Sequence, residues 1–214
     1  MIRRFHRIGF GLTLGAAIAA VPVAARAPGL PITDILGNAS DGALNKLSQP
    51  GAFYADQAVR ILLPGPLKGA NGILKLTDQA GLTTGFTKTI NDAAGQAAGA
   101  AKPIFREAIS KMTIADAASI LTKSDGATSF LRQSAGDTLK AKMRPLIEGA
   151  LGKTGAFTQM DKLGKISPLT GTLGLNRDTL TNSVNDQAMN GIFKYMGSEE
   201  AKLRANPLKL LKGL

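Results

Sequence analysis

The apolar residues of this chain recur mostly at three- and four-residue steps, the spacing of one face of an α-helix. Ile32, Ile35, Leu36, Ala39, Ala43, Leu44 and Leu47 open the pattern, and Pro50-Gly51 closes it. Phe53, Tyr54 and Val59-Arg60-Ile61-Leu62-Leu63-Pro64 form the one short stretch suited to extended backbone. Pro64 and Pro66 keep it from pairing as an interior strand. Pro66 suits the start of a helix through Leu67, Ile73, Leu74 and Leu76 that stops near Gly81. Residues 82–99, rich in Gly, Ala and Thr, read as a helix in which Gly95 and Gly99, four apart, allow tight packing of small residues.

Pro103 suits the next helix start, with Ile104, Phe105, Ala108 and Met112 as its apolar side. Thr113 and Asp116 have capping-box spacing and open a helix that runs to about Lys123 and breaks at Ser124-Asp125-Gly126. Residues 127–132 form a further turn or two. In residues 137–152, Leu139, Met143, Leu146, Ile147 and Ala150 share one face, opposite Lys140, Arg144 and Glu148. Pro145 removes a backbone donor and predicts a kink or break. Residues 155–176 are loop-like, with a short helix at 158–163. Leu180, Val184, Ala188, Gly191 and Tyr195 stripe a helix over 178–196, where Gly191 permits close approach of a neighbour. Ser198 is placed to cap a last helix over 199–205, in which Glu200 and Arg204 are four apart, and Asn206-Pro207 stops it. A leucine-lysine tail follows. The expectation is an all-α, single-domain, irregular bundle of about six to eight helices, with a Gly/Thr-rich loop excursion near residues 155–176.

The N-terminus reads as an address rather than as fold. Arg3, Arg4 and Arg7 precede an apolar run over residues 8–20, and Val23-Ala24-Ala25 supplies small residues before a cut after Ala25. This is the pattern of a secretory signal, and the run is well short of the roughly 20 residues that span a bilayer. Phe5-His6-Arg7 does not fit a twin-arginine signal, which favours ordinary secretion. The division is therefore residues 1–25 as signal and 26–214 as one helical domain. No cysteine stands at the cut, so the expected product is periplasmic, soluble and not a lipoprotein, with no transmembrane helix after cleavage. Loss of Arg3, Arg4 and Arg7 leaves 189 residues with 23 cationic side chains against 15 acids, a charge of +8.

The same cut narrows the chemistry. The chain has no Cys, and its one histidine, His6, leaves with the signal. Serine and cysteine triads and imidazole or thiolate metal sites then have no residues to use. There is no phosphate loop and no Gly-x-Ser-x-Gly. Lys153-Thr154-Gly155 matches one of three penicillin-binding motifs but lacks its Ser-x-x-Lys partner, and reads as a helix end. Glu199 and Glu200, adjacent, point about 100° apart on a helix and suit its first-turn dipole better than catalysis. No catalytic residue, metal ligand or cofactor is assigned.

Several motifs resemble the bacterial family catalogued as domain of unknown function 4197: Phe53-Tyr54 with Arg60-Ile61-Leu62-Leu63-Pro64, Ala101-Lys102-Pro103-Ile104-Phe105, Met112-Thr113-Ile114-Ala115-Asp116-Ala117, Phe130-Leu131-Arg132, Lys142-Met143-Arg144-Pro145, and Glu199-Glu200 with Arg204-Ala205-Asn206-Pro207. The likeness covers most of residues 33–212. It implies a helical, exported protein without established activity. It carries no catalytic residue to this chain, and the lipobox cysteine of many members is missing.

Positive charge is what remains to argue from. It favours anionic partners, which in a cell envelope are phospholipid or lipopolysaccharide phosphates and acidic wall polymers. Nucleic acid is disfavoured by export and by the lack of interleaved aromatics. Arg132, Lys140 and Arg144 are the candidate anion-binding residues, with Lys140 and Arg144 one turn apart to grip a phosphate. Phe53, Tyr54 and Arg60 are candidates for a pocket or a protein partner. The leading expectation is a non-catalytic module binding an anionic or amphiphilic envelope component. The alternatives are a carboxylate-based hydrolase of envelope glycans and an assembly factor recognised through residues 53–64.

Overall fold

A computed structural model describes residues 32–64, 82–112, 120, 122–166 and 175–206. Seven helices are described: α1 (Ile32–Leu47), α2 (Ala52–Ala55), α3 (Leu82–Ala100), α4 (Lys102–Ser110), α5 (Gly126–Lys153), α6 (Ala156–Ile166) and α7 (Arg177–Ala205). The all-α single domain expected from the spacing is the one found. No strand occurs among the described residues, and no helix there is long and apolar enough to cross a membrane. The signal segment, the 66–81 helix, the Thr113/Asp116 capping box and the leucine-lysine tail lie outside the described residues.

Helix α7 packs against both α1 and α5, and α3 packs against α5, α1 and α2. The core between them joins Leu36, Leu44 and Leu47 of α1, Phe86 and Ile90 of α3, Leu131, Leu139, Met143 and Ile147 of α5, and Leu180, Val184 and Ile192 of α7. The alanine- and glycine-rich sequence of α3 is a packing device. A Cβ on Gly95 would stand 3.2 Å from the Leu47 carbonyl oxygen, and one on Gly99 would stand 3.3 Å from Ser48 Cβ, so α3 crosses the end of α1 at backbone distance. Gly191 works likewise: a Cβ there would stand 3.1 Å from Phe53 and 3.2 Å from Val59.

Three expectations are corrected. First, residues 127–132 and 137–152 belong to one helix of 28 residues. The four-residue stripe Ala127, Leu131, Ala135, Leu139, Met143, Ile147, Leu151 runs unbroken along its inner side, so burial carries the helix across the polar 133–137 stretch. Pro145 does not break it, because Pro145 and Ala141, whose carbonyl loses its donor, both lie exposed, where the free oxygen costs little. Second, residues 156–166 of the expected loop excursion are helix, longer than the short helix foreseen at 158–163, and residues 167–174 lie outside the described residues. Gly155, at φ +78°, makes the turn, and α6 then buries Ala156 and Met160. Third, Ser198 caps nothing. It lies exposed within α7, which continues past it because Met196 and Glu200 extend the buried face. The cap at the start of α7 is Asn176, whose side chain accepts from Thr179 N at 2.9 Å while Thr179 Oγ1 accepts from Asn176 N.

Of the stretch expected to be extended, Phe53 and Tyr54 lie in α2, while residues 60–64 carry no regular secondary structure and no partner strand among the described residues. Asn91 of α3 accepts from Ile61 N at 2.8 Å and donates to Ile61 O at 2.9 Å. Gln187 of α7 treats Leu62 the same way, at 2.9 Å in both directions. Two amide side chains thus replace the ladder that Pro64 forbids, and they hold the segment across α3 and α7.

Candidate functional site

The candidate residues separate into three places. Phe53 is core, packed at Gly191. Beside it Arg60 lies 4.7 Å over the Tyr54 ring and donates from Nε to the Tyr54 carbonyl. Its charge faces a ring and a carbonyl, and it closes the loop after α2. Tyr195 donates to Asp56 at 2.7 Å across the same loop. That hydrogen bond holds Asp56 below its ordinary range and, with burial, pushes Tyr195 up to about 12. This corner is braced from several sides.

Arg132 and Lys140 are brought together. They line a groove of about 300 Å³ between α5 and α7, with Asp137, Asp186, Asn190 and Phe193. Eight residues of α5 separate them, about 80° around the helix, and the groove against α7 is wide enough to take both. Arg132 lies 5.5 Å over the Phe193 ring and donates to Asn190 Oδ1. It is exposed and has no carboxylate partner among the described residues. Lys140 stands 2.6 Å from Asp186, whose hydrogen bond and charge raise the lysine's pKa. Arg144 is not in the groove. It is held by Asp178 at 2.7 Å, Glu148 at 3.4 Å and Asn182 at 3.1 Å. The phosphate grip foreseen for Lys140 and Arg144 is therefore already filled by carboxylates, and a phosphate there would have to displace them.

The acids are mostly spent in the same manner. Asp41 holds Arg106, and Glu199 holds Lys46 and Lys202, two hydrogen bonds that outweigh the burial working to raise its pKa and keep it lowered. Glu107 accepts from Lys111 at 2.6 Å and Lys142 at 2.7 Å, which lowers its pKa to about 2. No group of three or more His, Cys, Asp or Glu that could hold a metal occurs among the described residues.

Glu199 and Glu200 do not sit where the spacing put them. Glu200 is not in a first turn but near the end of a 29-residue helix, and it is fully buried. It serves the N-terminus of a different helix. Its oxygens accept from Ala127 N at 3.0 Å and Thr128 N at 2.7 Å, the orphan donors at the start of α5, and from Arg204 Nε at 2.8 Å. Asp125, the N-cap, makes no side-chain cap bond, so Glu200 does its work from 73 residues away. Gly126 makes room, since a Cβ there would meet the Ile120 carbonyl oxygen at 2.3 Å. The only sequence signal was the Glu200–Arg204 spacing, which is silent about a distant helix end.

Comparison with curated proteins and with solved structures returns no match. A family profile does match: residues 29–213 fit the family described as protein of unknown function (DUF4197), which is nearly the whole chain. The motifs at 53–64, 101–105, 130–132, 142–145 and 199–207 lie inside that span, and the chain belongs to this family.

Proposed function

We propose that the protein is an exported, non-catalytic helical module that binds an anionic component of the cell envelope in the α5–α7 groove. The observation that supports it is Arg132. Arg106, Arg144, Arg177 and Arg204 each face a carboxylate. Arg132 is instead oriented by neutral groups, a ring and an amide, so its direction is fixed while its charge stays uncancelled. A guanidinium held this way loses little freedom when it takes a phosphate or carboxylate. Lys140 adds a second donor if the ligand competes with Asp186. Export rests on the Arg-rich start, the short apolar run and Val23-Ala24-Ala25.

Retention on vesicles of anionic phospholipid and on immobilised lipopolysaccharide, at low and high salt, tests the reading. The mature chain is expected to bind in a salt-sensitive manner, and Arg132→Gln to lose most of that binding with its circular dichroism unchanged. The absence of salt-sensitive retention on any anionic surface, or full retention by Arg132→Gln, would overturn it. N-terminal sequencing of native material is expected to begin at Arg26. A start at Met1 or Ile2 would remove the assigned compartment.

A further inference from the structure

The other flank of α5 carries a groove of different character. It also encloses about 300 Å³, between α4 and α5, and lies outside the Arg132 site. Its lining is mainly hydrocarbon: Met112 and Phe130 are only partly buried, Ala108, Ala135 and Leu139 add to the apolar wall, and Ser134 and Thr138 interrupt it. Its rim is cationic. Lys111, just past the end of α4, and Lys142 of α5 approach it from opposite sides, and both share a single carboxylate, Glu107. Both side chains reach solvent, Lys111 72% and Lys142 43% exposed. Three charges therefore sum to +1 at one edge of an apolar trough.

Each half of this arrangement has an ordinary explanation alone. Partly buried apolar side chains are common on protein surfaces, and Lys–Glu pairs on helix faces are common too. Together they have the polarity of an amphiphile read in reverse. The volume stands at the low end of ligand pockets, which suits one alkyl chain and excludes a two-chain lipid. The net cation at the rim suits an anionic head, which would share the two lysines with Glu107. Glu107 stays ionised at any physiological pH, so the rim charge does not vary. A neutral head would gain nothing from that rim.

We infer that the α4–α5 groove is a binding site for a single-chain anionic amphiphile, with the alkyl chain along Met112 and Phe130 and the carboxylate or phosphate head between Lys111 and Lys142. The site is separate from the Arg132 groove and stands or falls without it.

The test is titration of the full mature chain with monomeric dodecanoate, dodecyl phosphate and dodecanol, each below its aggregation threshold, followed by calorimetry and amide chemical shifts. Both anionic probes are expected to bind at least 10-fold more tightly than dodecanol and to shift residues around Met112, Phe130 and Lys142. A preference for dodecanoate or for the phosphate separates a fatty acid from a lysophospholipid as the source. Lys111→Gln with Lys142→Gln, both at exposed positions, is expected to bring the anions down to the dodecanol level. Thr138→Phe, which fills the trough from an exposed position, is expected to abolish binding of all three. Arg132→Gln is expected to leave the titration unchanged while it loses vesicle retention. Equal affinity for dodecanol and dodecanoate, no saturable binding, or binding untouched by both groove variants would overturn the assignment.

Discussion

Replacing Glu200 with alanine isolates the contact that joins the two longest helices. The carboxylate is wholly buried and is hydrogen-bonded to Ala127 N, Thr128 N and Arg204, whose own side chain is only 18% exposed. Truncation leaves two donors at the start of α5 without a partner, at about 1–3 kcal/mol each. It also strands a mostly buried guanidinium, and breaking a buried pair from one side costs about 3–5 kcal/mol. These losses overlap, since they share one carboxylate, so a total of about 3–5 kcal/mol is expected rather than their sum. Glu199 is the control. It neighbours Glu200 and bonds two lysines, but those lysines are 51% and 60% exposed, and Glu199→Ala is expected to cost about 1 kcal/mol or less. Urea denaturation followed by far-ultraviolet circular dichroism gives both values. If the two variants lie within about 1 kcal/mol of each other, the distant cap is not what holds α5 to α7.

The remaining predictions use the same assay. Asn91→Ala leaves the buried Ile61 N–H and C=O without partners and is expected to cost about 2–4 kcal/mol, with faster hydrogen exchange at Ile61. Gly191→Ala is expected to destabilise by about 1–3 kcal/mol through its contacts with Phe53 and Val59, whereas Gly149→Ala, whose Cβ meets nothing within 4 Å, is expected to stabilise α5 by about 0.5–1 kcal/mol. If the two shift stability in the same direction, the close approach at Gly191 is refuted. Glu107 has its folded pKa lowered, so its contribution is present above about pH 4.5 and is lost as pH falls towards 2. Glu107→Gln is expected to flatten that part of the acid limb, and an unchanged limb would show that Lys111 and Lys142 do not hold it.

Where burial and periodicity coincide, the sequence was sufficient. The stripes of α1, α4 and α7, the Gly95/Gly99 contact and the approach at Gly191 all follow from residue type and spacing. Local rules failed where a distant surface decided the outcome. Ser198 is a good N-cap by type, but Glu200 needs α7 unbroken to reach α5. Pro145 is a helix breaker by type, but its exposed position makes the lost bond cheap. Residues 60–63 looked like a strand with nowhere to pair, and the partners are Asn91 and Gln187, polar residues that no pattern linked to them. At the site, spacing placed Lys140 and Arg144 on one face and left Arg132 on a separate short helix, so the Arg132–Lys140 groove was not legible. It could not show that acids from α7 would meet Lys140 and Arg144 while Arg132 would be held by an amide and a ring.

That last distinction matters more than the net charge. A surplus of cations describes the whole surface, and half of the described lysines and arginines are answered locally: Lys46, Arg106, Lys111, Lys140, Lys142, Arg144, Arg177, Lys202 and Arg204 all face a carboxylate. An anion arriving at such a pair must outbid a carboxylate already in place, and most of what it gains it returns in breaking the pair. A cation fixed by neutral neighbours, or two cations sharing one acid, keeps its attraction for an outside ligand. Arg132 on one flank of α5 and Lys111 with Lys142 on the other meet that criterion, as do Arg60 at Tyr54 and Lys46 with Lys202 at Glu199; on the flanks of α5 these cations also line a groove. Both grooves depend on α5 remaining a single straight-through element between α4 and α7. The buried Glu200 secures the first turn of α5, so under the two proposals Glu200→Ala is expected to weaken both ligand classes while Arg132→Gln weakens only one.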